Sequence, residues 1–260
     1  MTDTRARLQL GGLAHLAEFA DRIDADLSRR DDDRPPHRIV STEALAVDTT
    51  ALPDIVGEVP VLTAGPEPLS WAISSTAVLL GAEVPELVPD ILDDEGRLDH
   101  GHWSALCAQA RDQAAGLSEW ASMPERLIDE IHDRNFQAAL GYLRRTAGSG
   151  QTVLIDGPVP AAAALILGAA APGQADHVIP LQVGSSALET RVWSRMGIEP
   201  VLPWSTRVTD GSLAPLALTA IFTARELLRG LSRRSPGADP AGDRSQQMAS
   251  GRPSLDNPAP

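Results

Sequence analysis

Asp156-Gly157 and the run Gln182-Val183-Gly184-Ser185-Ser186 each close a short apolar stretch, and they are the positions best placed to meet a ligand. The stretches before them, Thr152-Val153-Leu154-Ile155 and His177-Val178-Ile179-Pro180-Leu181-Gln182-Val183, have the β-branched character of buried strands ending at turns. Between them, Ala161 to Leu167 reads as a buried helix, which completes a βαβ unit. Ligands of such units collect in the crevice beyond the carboxyl ends of the strands, so a site is expected at these two turns. Asp156 fits either a turn former or a ligand contact. Further on, Arg207 suits a phosphate, or an ion pair with Asp156 or Glu199. Asp210 stands where an aspartate caps the helix that starts near Leu213.

Other chemical candidates are weaker. His100-Gly101-His102 has no further Cys or His at ligand spacing, so no metal site is expected. Asp90 to Gly96 lacks the alternating oxygens and the final glutamate of a calcium loop. Asp129, Glu130, His132 and Asp133 lie at helical spacing and read as a solvated face.

The elements that must position these residues follow from periodicity. Leu8 to Ala20 has the spacing of an amphipathic helix with Leu13, Leu16, Ala17 and Ala20 on one face. Arg29 to Arg38 is charged and proline-containing and reads as a loop. Val59 to Gly65 reads as a strand, and Leu69 to Gly81 as the helix after it. Trp103 to Ala115, Phe136 to Arg145, Ala187 to Met196 and a stretch ending at Arg229 read as helices, and Glu199-Pro200-Val201-Leu202 as a short extended piece. The pattern predicts an α/β fold of three layers, a mostly parallel sheet flanked by helices, with a small helical satellite from the amino terminus. It divides into residues 1–28 as the satellite or dimer element, 29–231 as the α/β domain, and 232–260 as a disordered tail poor in large apolar residues.

With 260 residues, 43% of them hydrophobic, the chain can bury one sizeable core. A net charge of −13 argues against nucleic acid as a partner. Every basic side chain other than histidine is arginine, so lysine-based phosphate clamps and Schiff-base chemistry are excluded. The single cysteine, Cys107, cannot form an internal disulfide, and there is neither a signal peptide nor a membrane-length apolar run. A cytoplasmic, soluble protein without membrane association is expected.

Val153-Leu154-Ile155-Asp156-Gly157 with Ala162-Ala163-Ala164-Leu165, Gly197-Ile198-Glu199-Pro200-Val201-Leu202, and Arg207-Val208-Thr209-Asp210-Gly211-Ser212-Leu213-Ala214 fall in one ungapped frame. In that frame the chain resembles the nicotinate-nucleotide-dimethylbenzimidazole phosphoribosyltransferase family, whose blocks read V-x-x-D-G-F-x-x-x-A-A-L, G-[LM]-x-P-L-L and R-L-G-E-G-[ST]-G-A-A-L. Leu10-Gly11-Gly12-Leu13 and Leu16-Ala17 resemble its amino-terminal helix, and Ser75-Thr76-Ala77 resembles part of its G-E-x-G-I-G-N-T-T motif. Several positions depart from the pattern. The family's catalytic glutamate falls on Asp210, its S-H pair on Leu181-Gln182, and its second motif glutamate on Ser186. Pro66, Glu67 and Pro68 replace glycines, and no counterpart is expected for the strand bearing the family's A-D-H-G-V motif.

The resemblance implies phosphoribosyl transfer from nicotinate mononucleotide to a benzimidazole-type base, in the synthesis of the lower ligand of cobalamin, by a homodimer needing no cofactor. It implies Asp210 as the base that takes a proton from the attacking nitrogen, in competition with the capping role. Aspartate is one methylene shorter than glutamate, which withdraws the carboxylate by roughly 1.5 Å. Asp156, Gly157, Gln182, Ser185, Ser186, Arg207, Gly211, Ser212, Ser75 and Thr76 are implied as substrate contacts, with Gly211 and Ser212 keeping part of a phosphate cradle. Glu67 is either a replacement carboxylate or an exposed loop glutamate. The alternative is a non-catalytic homologue that binds a base or nucleotide.

Overall fold

The structure is a computed structural model, and it describes residues 16–23, 37–42, 45, 58–64 and 69–234. Residues 16–23 form helix α1. Two strands follow, β1 (His37–Ser41) and β2 (Val59–Thr63), then helices α2 (Leu69–Leu80), α3 (His100–Leu117), α4 (Pro124–Glu130) and α5 (Arg134–Gly148). The chain continues through β3 (Val153–Asp156), α6 (Pro158–Ala170), β4 (Val178–Pro180), α7 (Ala187–Met196) and α8 (Ala214–Arg234).

The four strands form one parallel sheet in the order β1-β2-β3-β4. Alternation along the strands splits the core into two. Val40, Leu62, Val153, Ile155 and Val178 face the layer that holds α2 to α7, whereas Val59, Val61, Leu154 and Ile179 face α8 and residues Phe19, Ala20 and Ile23 of α1. This is the expected three-layer α/β arrangement. Helix α6 is the centre of its layer, packed against α2, α4, α5 and α7, and Val159 to Leu167 are all buried. Four consecutive alanines there let the neighbouring helices approach closely.

Beyond β4 the sheet gains a short parallel bridge, Gln182 to Leu202, in which Leu202 N–H donates to Leu181 O at 2.9 Å. The expected extended piece around Val201-Leu202 therefore lies beside the end of β4. It leads into a strap, residues 203–213, that crosses the carboxyl edge of the sheet before α8 begins.

Three expectations need correction. His37-Arg38 belong to a strand, not to the charged loop, so the sheet has an edge strand where no counterpart was expected. Its paired strand β2 is buried throughout and β1 is half-exposed, which hides the apolar alternation that would have marked it. The predicted strand His177–Val183 is regular only over Val178–Pro180, because Gln174–His177 form a 3-10 turn and Pro180 has no N–H to continue the ladder. Helix α8 runs to Arg234, so its backbone includes the first residues assigned to the tail. Residues 235–260, Glu67 with its flanking prolines, and the predicted helical start at residues 8–15 lie outside the described residues.

Candidate active site

The carboxyl ends of β3 and β4 meet the strap through one buried side-chain network. Asp156, 1% exposed, ends β3. Its Oδ1 accepts from Gln182 Nε2 at 2.9 Å, and its Oδ2 accepts from the backbone N–H of Gly211 at 3.0 Å. Gln182 Nε2 also donates to Val208 O at 2.7 Å, while Gln182 Oε1 accepts from Thr206 N at 3.0 Å and from Thr206 Oγ1 at 2.8 Å. The amide thus uses both N–H groups and both lone pairs, as a buried amide must. Ser205 Oγ adds a further tie by donating to Gly184 O at 2.6 Å.

Close packing seals the same contact. Gly157 has φ +106°, and a Cβ there would lie 3.1 Å from Thr209 Cβ. Gly211 has φ +80° and sits against Thr63, Ile39 and Val61, where a Cβ would come within 3.1 to 3.3 Å of their side chains. Both positions need glycine for conformation and for space.

Outside this seal, Asp210 and Arg207 are exposed on the strap. Asp210 Oδ1 accepts from Ser212 N at 2.9 Å, two residues on, in a turn that ends before α8 begins at Ala214, so the bond is that of a local turn and the expected cap of the helix by Asp210 is not formed. Hydrogen bonds from Ser212, its hydroxyl first and then its amide, hold the Asp210 carboxyl below the ordinary aspartate value, so it is ionised near neutrality. Arg207 makes no ion pair or hydrogen bond among the described residues, and neither Asp156 nor Glu199 is paired with it.

Next to this network, on the turn after Gln182, stands Glu189, which sequence reasoning passed over. Ser186 caps α7, and Glu189 turns back onto it: Glu189 Oε2 accepts from Ser186 Oγ at 3.1 Å and from Ser186 N at 3.4 Å. Ser186-Ala187-Leu188-Glu189 was legible as a capping box. What the pattern did not carry is burial, since Glu189 is 1% exposed and capping glutamates ordinarily face water. Burial pushes its carboxyl up to about 7, opposed by hydrogen bonds from Ser186 and reinforced by the neighbouring Asp156. Asp156 is also raised, by burial first, with the hydrogen bonds from Gln182 and Gly211 acting the other way.

The expected contacts therefore divide. Asp156, Gly157, Gln182, Ser186, Arg207, Asp210, Gly211 and Ser212 come together at one sheet edge, with Ser185 exposed on the same turn. Gln182 has no hydrogen-bonding capacity left for a substrate, and the Gly211 and Ser212 amides are engaged by Asp156 and Asp210. Ser75 and Thr76 are buried within α2, where Ser75 Oγ donates to Trp71 O at 2.7 Å and Thr76 Oγ1 has no hydrogen-bond partner among the described residues. They do not join the cluster. His100 and His102 stand at the start of α3, and Asp133 caps α5 by accepting from Phe136 N at 2.9 Å. No group of three or more His, Cys, Asp or Glu among the described residues is placed to hold a metal, and no helix among them is long and apolar enough to cross a membrane.

The chain belongs to the phosphoribosyltransferase family, whose model matches residues 73–236 and so spans both turns, the strap and α8. Among curated relatives, a nicotinate-nucleotide--dimethylbenzimidazole phosphoribosyltransferase of Cereibacter sphaeroides is 26% identical over 161 residues, covering 62% of this chain and 46% of the relative. Another from the same species is 30% identical over 132 residues, covering 50% and 39%. The fold is similar to the crystal structure of CobT from Thermus thermophilus, with a TM-score of 0.56 and 21% identity over 72% of this chain and 54% of that one. The regions matched in the curated relatives span about half of their length or less.

Proposed function

We propose that the protein transfers the phosphoribosyl group of nicotinate mononucleotide to a benzimidazole-type base, as the names of its curated relatives describe for them. One arrangement supports this reading above the rest: the strap bearing Arg207 and Asp210 is fixed at the carboxyl edge of the sheet by Asp156 and Gln182, within the region matched by the family. That is where ligands of parallel α/β sheets bind.

In this reaction the base nitrogen attacks the anomeric carbon while the bond to nicotinate breaks, its electron pair returning to the nicotinate ring nitrogen. The second ring nitrogen of the base then loses its proton. Asp210, ionised and facing solvent, accepts that proton. Arg207 is the cation available to the 5'-phosphate, and the Ser212 amide becomes available to it when Asp210 turns from its bond with that amide to the incoming base. Asp156 and Gln182 act through the strap and do not touch substrate. A homodimer in the cytoplasm belongs to the same proposal.

The test is release of nicotinate when the purified protein is incubated with nicotinate mononucleotide and dimethylbenzimidazole. Release that falls by about a hundredfold or more in Asp210→Ala supports the assignment. No release at any pH refutes it.

A further inference from the structure

A hollow of about 400 Å³ opens in the helical layer, at the end remote from the strap. Helices α2, α6 and α7 follow β2, β3 and β4 of the parallel sheet, so each starts near the carboxyl edge and runs back toward the amino edge. Their last turns bring Leu79, Gly168, Ala169, Arg195 and Met196 to the lining. The hollow exists because small residues meet where these helices end: Gly168, Ala169 and Ala175 leave space that longer side chains would fill. Its walls are fixed. A Cβ at Gly168 would lie 3.0 Å from Ala175 Cβ, so the 3-10 turn Gln174–His177 lies directly against α6. The segment entering α4, which supplies Ala121 and Pro124, is held by Arg126 over the Trp120 ring, 5.3 Å from its centroid.

We propose that this hollow binds a small amphipathic monocarboxylate, its carboxylate on Arg195 and its ring or short chain against Leu79, Leu165 and Met196. One cation and no acid line the site. Arg195 makes no ion pair or hydrogen bond among the described residues, in a chain of net charge −13. Arg191, one turn earlier on the same helix, is by contrast spent on Glu86 at 2.6 Å. A free guanidinium beside apolar surface matches a carboxylate through two parallel N–H bonds. The charge of the ligand is limited by its surroundings, because three helices end here and present the negative ends of their dipoles. A dianion such as a phosphate monoester would face them with a single cation to offset its charge, whereas a monocarboxylate is matched by Arg195 alone. The volume falls within the range of small-molecule sites, about 300–1,000 Å³, and the Met196 thioether can adapt to a ring or a chain. The site shares no residue with the strap and does not rest on the transferase reading.

The experiment is a ligand-observed NMR titration of the full chain with benzoate at about pH 7, with benzyl alcohol as the uncharged counterpart. Wild type is compared with Arg195→Gln, Ala169→Leu and Arg207→Ala; Arg195, Ala169 and Arg207 are all exposed, so the variants keep the fold. Benzoate is expected to bind wild type with a Kd of about 0.1–1 mM. Benzyl alcohol on wild type, and benzoate on Arg195→Gln, should each bind at least about tenfold more weakly. Ala169→Leu should weaken benzoate by a similar factor by filling the hollow, and Arg207→Ala should leave its Kd unchanged. Absence of saturable binding up to about 20 mM overturns the proposal. So does a Kd that Arg195→Gln or Ala169→Leu leaves unchanged, or one lost in Arg207→Ala, which would put the carboxylate at the strap instead. Since no turnover is measured, failure here leaves the transferase reading standing.

Discussion

The Glu189 carboxyl makes a stability prediction that does not depend on activity. Its folded-state value is raised from 4.5 to about 7, so the native state binds the proton more tightly than the unfolded chain. The associated stability is fully present below the unfolded value and is lost as pH rises through about 7. The rise corresponds to on the order of 3 kcal/mol. For a domain of this size, each kcal/mol moves the melting temperature by roughly 2–4 °C, which gives a loss of about 6–12 °C between about pH 4.5 and 8.5. Glu189→Gln removes this titration while keeping the Ser186 contact, so differential scanning calorimetry should find similar melting temperatures at about pH 5. By about pH 8.5 the variant should be higher by several degrees. A gap that stays constant with pH, or that opens with wild type above the variant, would show that the carboxyl is ionised and solvated in the native protein and would refute the burial argument.

Other substitutions probe the rest of the network. Gly184→Ala should cost about 2–4 kcal/mol by urea denaturation, from the positive φ and the clash with Glu189. Combining it with Glu189→Ala should recover at least about 1 kcal/mol, and strict additivity in the double-mutant cycle would count against that contact. Gln182→Ala leaves Asp156, Val208 and Thr206 short of partners and should destabilise by roughly 2–4 kcal/mol, with the strap the first region to gain proteolytic sensitivity. Asp210→Asn should leave the melting temperature close to that of wild type, since Asp210 is exposed, while nicotinate release falls; equal activity would remove Asp210 from the proposed reaction. Arg207→Ala should raise KM for nicotinate mononucleotide by about tenfold or more with a smaller effect on kcat, and an unchanged KM would argue against a phosphate contact.

The sequence by itself determined the βαβ unit and the three layers, because buried parallel strands and amphipathic helices leave patterns that local periodicity carries. Thr152 to Asp156 and Ala161 to Leu167 are legible for that reason. β1 was not, since it lies at the sheet edge with Arg38 and Ile39 exposed, and its pattern merges with a charged stretch. At the site, the sequence brought Asp156, Gln182, Arg207 and Asp210 into consideration but assigned Gln182 to a substrate. Only the tertiary structure decided that its amide is spent on Asp156 and the strap, because hydrogen-bond saturation depends on groups about 25 residues away in the chain. Glu189 illustrates the same limit. Its capping box is written in four consecutive residues, whereas its burial arises from Gly184 folding over it and Asp156 arriving from another strand, which no local pattern records.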